Sequence, residues 1–175
     1  MEKKYPPLEI TAPIVFAFIF VLIMIFSRLE PHVEDVDAAY VKAHTGRAGY
    51  VLVDARPLES FLGKSPRPGF PGGHIPGAVN FPPEDLSSRP HIVSALLAKE
   101  GITNDKTVII YCNTGVLSGR LADQLVRRFN FSSSKVKNYR GGTVEWAKDP
   151  KNILLPPDHE TGFVTDQDSQ RFKGK

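Results

Sequence analysis

The sequence has no second cysteine: Cys112 stands alone among 175 residues, so no intrachain disulfide can form. It has no close-set cluster of histidine and cysteine either. His32, His44, His74, His91 and His159 are scattered along the chain, which leaves none of the spacings of a zinc site, and neither a metal nor another cofactor is expected. There is no block of basic residues. Lys and Arg number 22 against 19 Asp and Glu, interspersed to a formal charge of +3; that balance favours solubility and argues against nucleic acid as a partner. No internal repeat is present. The length suits one domain with a real core and is too short for two ordinary ones.

The longest absence is of charge. Ile10 to Phe26, ITAPIVFAFIFVLIMIF, contains no ionisable side chain. Such a run is near the lower limit of roughly 17 residues for a helix that crosses a bilayer, with Tyr5 and Arg28 placed for the two interfaces and Pro13 in the first turn, where a missing amide hydrogen matters least. A transmembrane signal-anchor helix is therefore expected over residues 10–27, after a short segment 1–9 and before a linker 28–32. Two other readings compete. A cleaved signal peptide calls for a small-x-small site that MIFSRLE does not offer, and a buried helix of the domain has no counterpart for its missing polar face. Lys3 and Lys4 precede the run, so the small excess of positive charge favours a cytoplasmic N-terminus. The protein is expected at the membrane, single-pass, with its C-terminal domain on the extracytoplasmic side (periplasmic in a bacterium) and a membrane or extracytoplasmic protein as a potential partner.

Beyond residue 32 the pattern changes. Asp35 is a candidate cap for a helix over VDAAYVKAHT, with Ala38, Ala39 and Val41 available for packing. YVLVDAR and AVNFP read as strands, and KTVIIYC, β-branched on consecutive positions, as the most central one. Residues 62–77, rich in Pro and Gly, form a loop. PEDLSSRPHIVSALLAKEGI has helical spacing at Ile92, Leu96 and Leu97, with Gly101 as its stop. Leu117, Leu121, Leu125 and Phe129 recur every four residues along VLSGRLADQLVRRF, an apolar row on one helix face. SKVKNYRGG supplies a further strand and TVEWAKD a short helix bearing the single Trp146. Strands alternating with helices imply an α/β fold, a parallel sheet with helices on both faces, over residues 33–150. A polar tail follows over 151–175, loosely ordered from Asp158 onward.

Cys112 lies where the central strand ends and a helix begins, the place where reactive groups collect in an open parallel sheet. A short Asn-Thr-Gly loop there can turn amide hydrogens inward as an anion nest, and the helix start adds partial positive charge. Both favour thiolate over thiol, the form that attacks. The competing reading is a buried, inert thiol.

Four stretches decide the weight of that site. DARP (residues 54–57), GGHIPGAVNFP (72–82), VIIYCNTGVLSGRLADQL (108–125) and YRGGTVEW (139–146) occur in the order and spacing of the rhodanese homology domain, and the chain resembles that family over roughly residues 33–150. The resemblance implies a rhodanese-like parallel sheet wrapped by helices, behind the N-terminal transmembrane helix. It implies that Cys112 accepts a sulfane sulfur as a persulfide and passes it to a thiophilic acceptor. Asn113, Thr114, Gly115, Val116, Leu117 and Ser118 would line the loop. The implied partners are a small sulfur donor (thiosulfate, a polysulfide or a protein persulfide) and a thiol acceptor. One departure stands out: members that use thiosulfate commonly carry Arg at the sixth loop position, and Leu117 occupies it here. Arg120 matches a second basic position often seen in the family, one turn into the helix. The lost guanidinium weakens donor binding by roughly one to two powers of ten. With Ser118 where a Cys-x5-Arg phosphatase needs its arginine, it also disfavours phosphate transfer. Asp54 and Arg56 are expected to brace neighbouring loops, and His74 to anchor its own. A catalytically weak binding or scaffold module is the rival to the sulfurtransferase.

Overall fold

The computed structural model describes residues 15–22, 33–88 and 92–155. The chain divides into two units between His32 and Val33. In the first, residues 15–22 form a helix, α1. All of its side chains are exposed, Phe16, Phe18 and Phe20 by 72%, 65% and 64%. The remainder of the expected anchor, with segment 1–9 and the linker, lies outside the described residues. Among those described, no helix is long and apolar enough to cross a membrane; the helix expected over residues 10–27 is described only across 15–22.

The second unit is built on five strands: β1 (Glu34–Val36), β2 (Tyr50–Asp54), β3 (Ala78–Asn80), β4 (Thr107–Tyr111) and β5 (Val136–Tyr139). They lie in the order β1-β5-β4-β2-β3, every neighbouring pair parallel. The consecutive β-branched residues of β4 follow from its central place, because both faces of a middle strand are covered. Period-two alternation then sorts its side chains. Val108, Ile110 and Cys112 point into one core, with Leu86 of α4 (Glu84–Ser88), Val93 and Leu97 of α5 (Val93–Lys99) and Leu121, Ala122 and Leu125 of α6 (Val116–Phe129). Ile109 and Tyr111 point into the other, with Val41 of α2 (Ala38–His44) and Trp146 of α7 (Gly142–Trp146). The short α3 (Leu58–Phe61) opens the Pro/Gly-rich segment. The α/β fold with helices on both faces of a parallel sheet is thus present.

Several local expectations shift. Asp35 does not cap α2; it lies in β1, and Asp37 is the cap, its carboxylate accepting from the Tyr40 amide at 2.8 Å. β1 escapes sequence reading because three edge residues, Glu34 and Asp35 exposed and Val36 half-buried, are too few to give an alternation to detect. Ala39 is exposed, while Val41 carries the buried contact of α2. The helix expected across residues 83–101 is two, α4 and α5, separated by a stretch containing Pro90, which disfavours continuous helix. Ile92 is 36% exposed and Val93 takes its place in the core. The start of the polar tail is docked: Leu155 exchanges both backbone hydrogen bonds with His74 at 2.8 and 2.9 Å, and Ile153 accepts from the Trp146 indole. The tail from residue 156 lies outside the described residues.

Candidate active site

β4 ends at Tyr111 and α6 begins at Val116, so Cys112 to Gly115 must reverse the chain in four residues above the centre of the sheet. Gly115 makes the turn possible. Its φ of 84° is left-handed, a conformation glycine adopts without the Cβ penalty. The turn aims its amide at the sulfur, Gly115 N to Cys112 Sγ 3.1 Å. From the first turn of α6, the buried Ser118 donates its hydroxyl to the same sulfur at 3.6 Å. Two donors and a helix start therefore converge on one atom, an arrangement suited to negative charge that develops there during a reaction. Cys112 retains only 2% of its surface. It is both a member of the core and the focus of the loop.

The loop is fixed from beneath by groups that sequence reading did not single out. Thr143 and Val144, at the start of α7, donate their amides to the carbonyls of Cys112 and Asn113 at 2.9 and 3.3 Å. Gly142, with φ of 57°, permits this approach: a Cβ there would lie 2.3 Å from the Cys112 carbonyl oxygen. The half-buried Asn113 side chain accepts from the Thr143 hydroxyl at 2.8 Å and from Arg56 Nη1 at 3.4 Å. Asn113 thus ties the loop to α7 and to Arg56. The GGT of the fourth motif was visible in the sequence, but the hydrogen bond of its Thr143 to Asn113 spans 30 residues and leaves no periodic trace.

Asp54 and Arg56 form a fully buried ion pair, Nη2 to Oδ2 2.6 Å. Arg56 also donates to the Pro71 carbonyl at 2.9 Å and, more closely, to that of Gly73. Burial opposes its charge, yet the hydrogen bonds and charge of Asp54 outweigh this and hold the guanidinium above its ordinary value. The pair clamps the 62–77 loop to the ends of β2 and β4. His74 is seated in that loop, its Nδ1 against the Phe61 carbonyl at 3.0 Å and its ring stacked on Phe61 at 3.9 Å.

Of the remaining loop positions, Thr114 and Val116 are exposed, and Leu117 is half-buried against the core cluster below α6. Arg120 is exposed on α6. Among the described residues no group of three or more His, Cys, Asp or Glu is placed to hold a metal.

Residues 37–149 match the rhodanese-like domain family. The chain is 33% identical over 102 residues to the 3-mercaptopyruvate sulfurtransferase of Escherichia coli K12, covering 54% of this chain and 35% of that protein. It is 30% identical over 126 residues to the sulfur carrier protein TtuD of Thermus thermophilus, covering 65% and 43%. To the thiosulfate sulfurtransferase of Azotobacter vinelandii it is 33% identical over 118 residues, covering 63% and 42%. The chain thus spans less than half the length of each of these relatives. Among solved structures, the anaerobic ergothioneine biosynthesis enzyme from Chlorobium limicola superposes with a TM-score of 0.60 at 16% identity, over 71% of this chain and 28% of that one, a likeness of fold.

Proposed function

This chain belongs to the rhodanese-like domain family, and from that premise we propose that it is a sulfurtransferase that carries sulfane sulfur as a persulfide on Cys112. With thiosulfate as donor, the Cys112 thiolate attacks the outer sulfur, a new S–S bond forms, the donor's S–S bond breaks and sulfite leaves with the electron pair. A thiolate or cyanide then attacks the terminal sulfur, the enzyme's S–S bond breaks, and the Cys112 thiolate returns. A polysulfide or a protein persulfide enters the same cycle with a shorter polysulfide or a thiol as leaving group. Gly115 and Ser118 serve each stage by donating to whichever charge rests at the sulfur. No second cysteine is required, because the acceptor is a separate molecule.

The observation that carries this reading is the pair of donors converging on a sulfur at the end of the central strand. The test is intact mass after exposure to thiosulfate and to polysulfide. One added sulfur, confined to Cys112, absent from Cys112→Ser and removed by cyanide as thiocyanate, is the expected result. No gain from either donor rejects the carrier.

A binding or scaffold module of low activity is the second reading. It is favoured by Leu117, which leaves the sixth loop position without a cation, and by the 2% exposure of Cys112. Cys112→Ser with every cellular function intact would select it.

The N-terminal run belongs to the same proposal. An uncharged stretch from Ile10 to Phe26, with the apolar side chains of α1 exposed, supports a membrane anchor that presents the domain on the extracytoplasmic face, where its sulfur donor or a protein partner would be met.

A further inference from the structure

Position 117 carries no guanidinium, yet one stands beside the loop from another direction. Arg140 follows β5, and the register that pairs Tyr111 with Tyr139 brings it level with Cys112. A Cβ on Gly115 would come within 2.7 Å of Arg140 Cγ and 3.0 Å of its Cα. The arginine stem therefore lies directly on the glycine whose amide points at Cys112 Sγ. Its head is free to move: the side chain is 76% exposed, and its ion pair with Asp35, itself 49% exposed, is long at 3.6 Å. Exposed pairs at the outer limit of contact are weakly held. The other nearby cations do not compete. Arg56 is buried and committed to Asp54 and two carbonyls, and the Arg120 side chain, exposed on α6, makes no hydrogen bond or ion pair to the loop among the described residues.

Resting on the sulfur-transfer reading above, we propose that Arg140 is the donor-recognition residue of this site, leaving Asp35 to place its guanidinium on the sulfonate oxygens of a thiosulfate-class donor. A planar fork of donors suits such an oxyanion. The transfer step is unchanged by it: the same S–S bond forms, the same one breaks, and sulfite departs from the arginine. Asp35 then acts as a counter-anion that holds Arg140 when no donor is bound.

Sulfur transfer to cyanide from thiosulfate, and from inorganic polysulfide, which has no sulfonate oxygens, separates the possibilities. Arg140→Gln keeps the stem over Gly115 and is expected to raise the thiosulfate KM roughly three- to tenfold with polysulfide rates unchanged. Arg140→Lys recovers part of the loss, since it restores charge without the fork. Asp35→Asn lowers the thiosulfate KM by releasing the guanidinium. Added salt raises the native thiosulfate KM and has a smaller effect on Arg140→Gln. An unchanged thiosulfate KM in Arg140→Gln, or an equal loss with both donors, overturns the assignment while leaving Cys112 as carrier. If the native protein takes sulfur from neither donor, the sulfur-transfer reading itself falls, and this one with it.

Discussion

At the scale of single residues, the site works through the atoms that face one sulfur. Ser118 is the side-chain donor among them, and its burial means that its hydroxyl has no water to turn to. Ser118→Ala removes that donor without adding bulk. Its expected effect is a several-fold slower loading of Cys112 by every donor, with the folded state changed by about 1 kcal/mol or less, checked by stopped-flow loading against a thermal melt. A loss confined to thiosulfate would instead place Ser118 on the oxyanion. Tyr139 makes a different point. Its hydroxyl is buried without a hydrogen-bond partner among the described residues, and burial, with the charges of Glu145 and Asp37, raises its pKa above the ordinary value of 10.0. The folded state thus holds this proton more tightly than the unfolded chain. The corresponding stability is fully present below pH about 10 and is lost as pH rises beyond it. Tyr139→Phe removes the unsatisfied group and keeps the edge contact with Trp146. Stability at pH 7 should then be equal or higher, and the alkaline decline above pH about 10 shallower, in denaturant titrations at several pH values. An unaltered alkaline decline would assign it to other groups, the deeply buried Tyr111 first among them.

Elements show what sequence pattern can and cannot transmit. β4 and α6 were legible almost residue by residue, because a doubly covered strand and a helix with a four-residue apolar row each write their burial into consecutive side chains. Contacts made where elements end were not. Thr143, Gly142 and Arg140 meet the cysteine loop only because β5 lies beside β4, and strand order is not encoded in any local period. The same holds for Leu155, which reads as tail yet pairs with His74. The clamp of Asp54 and Arg56 belongs to this scale, since it joins the ends of β2 and β4 to the 62–77 loop. Removing one member of a buried, hydrogen-bonded pair leaves the other uncompensated and costs about 3–5 kcal/mol. Arg56→Met is expected to show that loss in chemical denaturation, together with early proteolytic cutting inside residues 62–77. A variant as stable as the native protein would mean that the pair contributes positioning alone.

For the whole molecule, the question is how a chain with an ordinary α/β domain accommodates the uncharged run before it. A water-soluble domain keeps large contiguous apolar patches out of solvent, and the side chains of α1, Phe16, Phe18 and Phe20 among them, are exposed. In the anchor proposed above a bilayer covers them, a cover that the absence of charge from Ile10 to Phe26 fits. On that account the full chain sediments with membranes and resists extraction by high salt and alkaline carbonate, whereas a chain starting at Ser27 is soluble and still loads sulfur on Cys112. Protease added to intact cells stripped of any outer barrier should reach the domain if Lys3 and Lys4 set the orientation as the positive-inside rule requires. Release of the full chain by salt alone would point to a peripheral contact. Protection of the domain in such cells would reverse the orientation, and with it the side of the membrane on which donor and acceptor are sought.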